Sequence, residues 1–490
     1  MDVRNLSNQE SPLYNTLTRK TERSPWTYNL LESVGSFSKQ RVVVPPDTDC
    51  ADFMQNSTSC HWDVPRYGLL GHVMIRTEFL VDGAADDTEA TQNLFCDDFG
   101  LHLYPEISLR TNNKIVQILY PEPTMARIKE LPYEKRVSME AATGKNGRTL
   151  QSNVNDTERL ITVYTPCFFS FMERTNSFLD TAFLENMQIH ATVAKSTTVC
   201  KMNSTQTIKI QPGNPKLVCT FFNPTDAAYK AAEERNFSMD APSTFLAYDT
   251  YKENPKIHKS QTLSAATSTV NNYKYSHRQQ ATVKLANPNL TLVTHVCVRV
   301  KQPDAGLASA VGANILRWFD GKNLRTMEST AGENFVPSQN SEFLLDSQPS
   351  HFLPIQNITV KGSSREIMNV PGFELQHFDT AAMGRSTQGS LSVSSAALDL
   401  FSYTNLHNSD LSDNIYSIHW GLDASRSTCS GACSFKNMTN PEIVIEFDGV
   451  DARNATTADD SKFEVLVFHE YFQIMSVQGS DGRIGLGISV

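Results

Sequence analysis

The chain has 490 residues, 40% of them hydrophobic and 20% charged, which supplies more than one core and excludes a disordered polyelectrolyte. Its formal net charge of -10 removes the global positive field with which a nucleic-acid-coating protein holds phosphate. No run approaches the ~20 consecutive apolar residues of a membrane helix, and the opening Met1-Asp2-Val3-Arg4 lacks the apolar core of a secretory leader.

In chain order, residues 1–45 are rich in Ser, Thr and Asn with isolated aromatics (Tyr14, Trp26, Tyr28, Phe37), and Pro45-Pro46 closes them. They read as an arm rather than core. Val73, Ile75, Thr77 and Phe79 then fall on one face of an alternating run, with Arg76 and Glu78 on the other, as a half-buried strand requires. Glu106–Arg110, a Thr111-Asn112-Asn113-Lys114 turn and Ile115–Leu119 form a hairpin pattern. Ile189, Ala191 and Val193 alternate more weakly.

Near the midpoint, Thr225-Asp226 can cap a helix over Ala227–Arg235 after Asn223-Pro224, either as a connector between two β domains or as a helix inside one. Beyond it, Leu292, Thr294, Val296 and Val298 alternate with His295 and Arg299, which are expected on the opposite, wet face. Residues 383–397 are a Ser/Gly-rich stretch of surface-loop character. Ile443, Ile445 and Phe447 make a further strand, and Phe463–Ile474 another. Many short strands joined by Asp-Gly and Asn-Gly turns predict β-sandwich architecture. No short internal repeat is visible.

The search for chemistry is negative in its main classes. Gly312 to Gly321-Lys322 has the wrong spacing for a phosphate loop, and Asn323 stands where a magnesium-binding hydroxyl belongs. His469-Glu470 lies in a strand-like run and reads as a strand histidine, not a metal helix. Acidic pairs such as Asp97-Asp98 and Asp459-Asp460 read as solvated loop charges. The basic residues of the arm are interspersed with Glu22 and Glu32, so no sequence-specific nucleic-acid contact is expected. Nine cysteines without a leader are expected as reduced thiols. For the one close pair, Cys429 and Cys433, free thiols, a small disulfide ring and a metal ligand pair all stay open. Asn-x-Ser/Thr sequons such as Asn56 and Asn155 matter only in a secreted chain. No catalytic constellation and no cofactor site emerges.

Several stretches, taken in order, carry a resemblance. Leu160–Phe171, with Thr165-Pro166-Cys167-Phe168-Phe169, leads into Phe178–Leu184 and Gln188–Val193. Arg66-Tyr67-Gly68-Leu69-Leu70 precedes a strand, and Asn287-Pro288-Asn289-Leu290-Thr291-Leu292 opens another. Ile415-Tyr416-Ser417-Ile418, Ser430-Gly431-Ala432-Cys433-Ser434-Phe435 and the closing strand from Phe463 complete the series. The series resembles the double jelly-roll major capsid proteins of eukaryotic double-stranded DNA viruses, of the nucleocytoplasmic large DNA virus, polinton-like virus or virophage type.

The resemblance implies an all-β chain of two eight-stranded jelly-roll sandwiches in tandem. The expected division is an arm over 1–45, a first jelly roll over 46–222, a linker with a short helix over 223–240 and a second jelly roll over 241–490. It further implies a non-enzymatic subunit without cofactors, forming pseudo-hexagonal homotrimers that tile an icosahedral virion shell. Partners would be the same chain, neighbouring capsomers, minor capsid and penton proteins and an internal membrane. Synthesis would be in the host cytoplasm or nucleus. Trp26 and Tyr28 would anchor the arm on a neighbour, unless the arm is only a tail. A β-sandwich carbohydrate-binding or carbohydrate-active protein is the competing reading, which needs a groove lined by exposed Trp and Tyr.

Overall fold

The computed structural model describes residues 37–47, 59–82, 94–95, 98–131, 133–144, 158–170, 179–181, 184, 186–194, 199–201, 207–210, 214–224, 244–259, 278–286, 290–300, 352, 355–375, 415–421, 431–448, 462–480 and 483–489. The first half contains β1 (Phe37–Val44), β2 (Ser59–Asp63), β3 (Leu69–Asp82), β4 (Leu94–Phe95), α1 (Phe99–His102), β5 (Glu106–Thr111) and β6 (Lys114–Leu119). It continues with α2 (Pro121–Glu130), α3 (Tyr133–Thr143), β7 (Glu158–Pro166), β8 (Leu179–Asp180), β9 (Met187–Thr192), β10 (Cys200–Lys201), β11 (Thr207–Ile210) and β12 (Lys216–Pro224). The second half contains β13 (Thr244–Lys252), β14 (Lys256–Lys259), β15 (Arg278–Lys284), β16 (Thr291–Val300), β17 (Ile355–Gly362) and β18 (Arg365–Pro371). After α4 (Gly372–Glu374) come β19 (Tyr416–His419), β20 (Glu442–Asp448), β21 (Lys462–Ser480) and β22 (Arg483–Ser489).

In the first half one sheet is ordered β1-β12-β3 with β7 on the far side of β3, and the facing sheet β2-β9-β5-β6. The second half repeats this with β13-β21-β16-β19 and β15-β20-β17-β18. Counting the principal strands of each half from one to eight, both halves read 1-8-3-6 against 2-7-4-5. That is the jelly-roll order, and the chain carries it twice.

Alternation explains each core. Val73, Ile75, Thr77 and Phe79 are buried as their spacing predicts, and the Thr77 hydroxyl shares a 2.6 Å hydrogen bond with the Tyr104 hydroxyl instead of going unpaired. Phe79 and Phe99 pack as tilted rings with centroids 5.2 Å apart inside the first core. Val296, Val298, Ile358, Val360, Ile443, Ile445, Phe447, Val465 and Val467 build the second.

The halves also duplicate irregularities. The β5–β6 turn places Asn112 and Asn113 at φ 50° and 63°, and the β17–β18 turn places Ser363 and Ser364 at 52° and 61°. Each turn is a two-residue connection whose left-handed backbone matches the strand twist. Each hairpin then skips one residue of its second strand, Val116 in β6 and Ile367 in β18. Likewise Gly71 of β3 is skipped opposite β12, and Leu292 of β16 opposite β21. These shared features align the halves residue by residue where side-chain identity does not.

Two expectations need correction. Phe37–Val44, assigned to the arm, pairs along its length with Pro224 to Leu217 of β12. Its Val42 and Val44 pack on the first core, so the strand is held by side chains as well as by its ladder. The linker assigned from 223 likewise begins inside β12, where Asn223 and Pro224 still pair with β1. Residues 1–36 with Trp26 and Tyr28, the helix expected at 227–235, the loop at 383–397 and Cys429 lie outside the described residues.

Candidate functional site: the junction between the sandwiches

The most elaborate side-chain arrangement among the described residues is where the halves meet. Helix α2 starts directly after β6, with proline at its first positions, where a fixed φ and a missing N–H suit a helix start. Its Met125, Ala126 and Ile128 join Leu101 of α1 in one buried cluster with Cys297 of β16, Leu466 and Phe468 of β21, Phe352 and Ile415. A single apolar body thus belongs to both halves.

Polar groups sit inside that seam. Arg127 of α2 is 4% exposed and Glu470 of β21 is 0% exposed, with Arg127 Nε 3.0 Å from Glu470 Oε1. Arg127 Nη1 donates to the Phe168 carbonyl at 2.7 Å, and the guanidinium lies 4.7 Å from the centre of the Tyr248 ring. His295 Nε2 stands 3.0 Å from the same Glu470 oxygen, while its Nδ1 is 2.8 Å from the Ser417 hydroxyl. Glu470 is thus approached by a side chain from each half.

His469, next in β21, points to the other face of the sheet. Trp420 Nε1 donates to Thr294 Oγ1 at 2.9 Å, and Thr294 Oγ1 lies 3.0 Å from His469 Nδ1. With Nδ1 accepting, the ring proton sits on Nε2, 3.4 Å from Glu253 Oε1. The two groups stand close there without an aligned hydrogen bond. Burial pulls the His469 pKa down and Glu253 pulls it up, and burial prevails.

At the strand edges, Asp249 of β13 accepts from the Ile118 N–H of β6 at 2.8 Å, from the Thr250 N–H at 2.8 Å and from the Tyr471 hydroxyl at 3.2 Å. Burial raises its pKa to about 6 against the pull of those donors and of Arg127. Gln473 Nε2 of β21 donates to the Val116 carbonyl at 3.0 Å. Two hydrogen bonds and a buried ion pair therefore tie the first half's β6 and α2 to the second half's β13 and β21. Nearby, Arg299 Nε meets Glu464 at 2.7 Å, and the two carboxylates Glu122 and Glu464 outweigh burial to raise the guanidinium's pKa.

This arrangement joins modules. Its carboxylates and imidazoles are buried and each faces a fixed protein partner. His295 was expected on a wet face because its strand alternates; the first half covers that face instead. Arg127 and Asp249 gave no sequence signal, since neither lies in a motif; the prolines in the first turn of α2 were the one local hint of a helix there.

The cysteines divide. Cys60 is disulfide-bonded, against the expectation of thiols throughout. Cys167, Cys219, Cys297 and Cys433 are free, so Cys433 does not close a ring with Cys429. Cys433 is held by backbone hydrogen bonds in both directions with Thr291, each 2.8 Å, and burial pushes its thiol up to about 11. Among the described residues no three His, Cys, Asp or Glu side chains are grouped as a metal ion requires. Trp62 is fully buried and donates to the Pro215 carbonyl at 2.9 Å, so it lines no sugar groove.

No family model matches the sequence, and no curated protein matches it by sequence. By fold the chain is a double jelly roll of the kind found in viral major capsid proteins. It aligns with the PBCV-1 virus capsid over 96% of this chain and 99% of that one, with TM-score 0.55 and 10% identity. It aligns with the Faustovirus major capsid protein over 92% of each chain, with TM-score 0.54 and 9% identity. A chain of the Sputnik virophage structure aligns over 96% of this chain and 92% of its own, with TM-score 0.50 and 9% identity.

Proposed function

We propose that this chain is the major capsid protein of a double-stranded DNA virus, assembling as homotrimeric, pseudo-hexagonal capsomers that tile an icosahedral shell and having no catalytic role. The supporting observation is that both jelly rolls, their order and nearly the whole length align with the PBCV-1 and Faustovirus capsid structures. The seam agrees with that reading, because a shell subunit needs its two modules locked as one rigid tile. Its partners are then copies of itself, and its location is the virion.

Light scattering on the purified chain tests this. A monodisperse mass three times that of one chain is expected at micromolar concentration, and a stable monomer overturns the proposal.

A further inference from the structure

The seam inside one chain has an empty counterpart on the outside of the same chain. Aligning the hairpins by their skipped residues equates Val116 with Ile367 and Ile118 with Asn369. Aligning the other sheets by Gly71 and Leu292 equates Tyr471 with Phe221, hence Gln473 with Asn223. Since Asp249 pairs with Tyr471 and Gln40 pairs with Phe221, Asp249 corresponds to Gln40.

Burial differs as a filled and an unfilled contact should. Val116, in the seam, is 1% exposed, whereas Ile367 is 42% exposed. Ala247 to Thr250 of β13 are buried, whereas Ser38 to Arg41 of β1 are all exposed. Among the described residues both β18 and β1 are edge strands with no strand paired on their outer sides, an arrangement that invites another chain.

We infer that β18 of one copy docks against β1 and β12 of a second copy in the geometry that β6 uses on β13 and β21. The inference rests on the capsomer reading above and assigns the surface it uses. Each of the two hydrogen bonds that β6 makes across the seam has a chemical equivalent. Where the Ile118 N–H donates to Asp249 Oδ1, the Asn369 N–H donates to the Gln40 side-chain carbonyl of the neighbour. Where the Gln473 amide donates to the Val116 carbonyl, the neighbour's Asn223 amide donates to the Ile367 carbonyl. Position 223 keeps a carboxamide and position 40 keeps an acceptor, although most surrounding side chains differ. Ile367 is buried by the contact. Within a chain the fifth strand of the first half meets the first strand of the second. Between chains the fifth strand of the second half meets the first strand of the next copy, a head-to-tail contact that closes as a ring.

The test uses the full chain with Gln40→Cys and Asn369→Cys together, treated with a short bismaleimide, each single variant serving as control. A ladder of covalent dimer and trimer in the double variant only is expected. In parallel, Asn369→Pro deletes the outward N–H of an edge strand without breaking a ladder bond; a folded monomer by circular dichroism and light scattering is expected. A wild-type chain that is monomeric overturns the capsomer reading itself. A trimeric chain in which the double variant gives no ladder, or in which folded Asn369→Pro stays trimeric, overturns the strand-edge contact alone. If Asn369→Pro does not fold, the cross-link decides.

Discussion

Arg127→Met separates a structural ion pair from a decorative one. The substitution keeps most of the stem's packing and removes the guanidinium from a site where Glu470 is fully buried, while His295 stays 3.0 Å from its Oε1. It also strips the 2.7 Å donor from the Phe168 carbonyl. Breaking a buried pair from one side costs about 3–5 kcal/mol, because the other charge stays behind uncompensated. At about 2.1 cal/mol/K of unfolding entropy per residue, a chain of this length melting as one unit has about 1 kcal/mol/K, so Tm drops by roughly 3–5 °C. Replacing both partners, Arg127→Met with Glu470→Met, removes the stranded charge and recovers most of the loss. Scanning calorimetry on the wild type, the single variant and the double variant reads this directly. A single variant melting within about 1 °C of wild type, or a double variant melting below the single one, refutes the reasoning.

Asp249→Asn keeps the acceptor for the Ile118 N–H and removes the titration. With a folded pKa of about 6 against 3.8 in the unfolded chain, the folded state binds the extra proton, so wild-type stability from this group falls as pH rises from about 4 to 6 and the penalty persists above. The variant is therefore stabilised relative to wild type at pH 7 but not at pH 4 in urea denaturation; equal differences at both refute the assignment. His469, held neutral by burial, acts in the opposite sense, its contribution being lost as pH falls below about 6.5, so each comparison is made at one pH. Gly372→Ala places a Cβ against the Ile355 carbonyl and the Tyr416 ring, and urea unfolding should show a loss of about 1–3 kcal/mol; a neutral result means that α4 can shift. Under native alkylation followed by peptide mass spectrometry, Cys433 is modified before Cys167, Cys219 and Cys297, which stay blocked until denaturant is added; early modification of Cys297 would mean that the seam opens.

The strands and the hairpin at Asn112-Asn113 were legible because alternation and left-handed turn residues are local signals, and the order of short motifs pointed to two jelly rolls. The seam was not. His295 and Cys297 interrupt an alternating pattern only by being buried too, and nothing local reveals that Met125 and Ile128 come back from another half to pack on Cys297. The duplication was equally hidden. Asn-Asn and Ser-Ser share a backbone conformation, not a composition, and Val116 and Ile367 share a bulge that exists only once strands pair. The arm boundary failed for a related reason: Phe37–Val44 reads as exposed and mixed because, within one chain, just one side of it is used.

Class averages from negative-stain microscopy of the purified protein bear most directly on whether two sandwiches per chain serve to build a tile. Particles with threefold symmetry on a six-sided outline are expected, six modules from three chains. Isolated two-lobed particles, or rings without that symmetry, would contradict it.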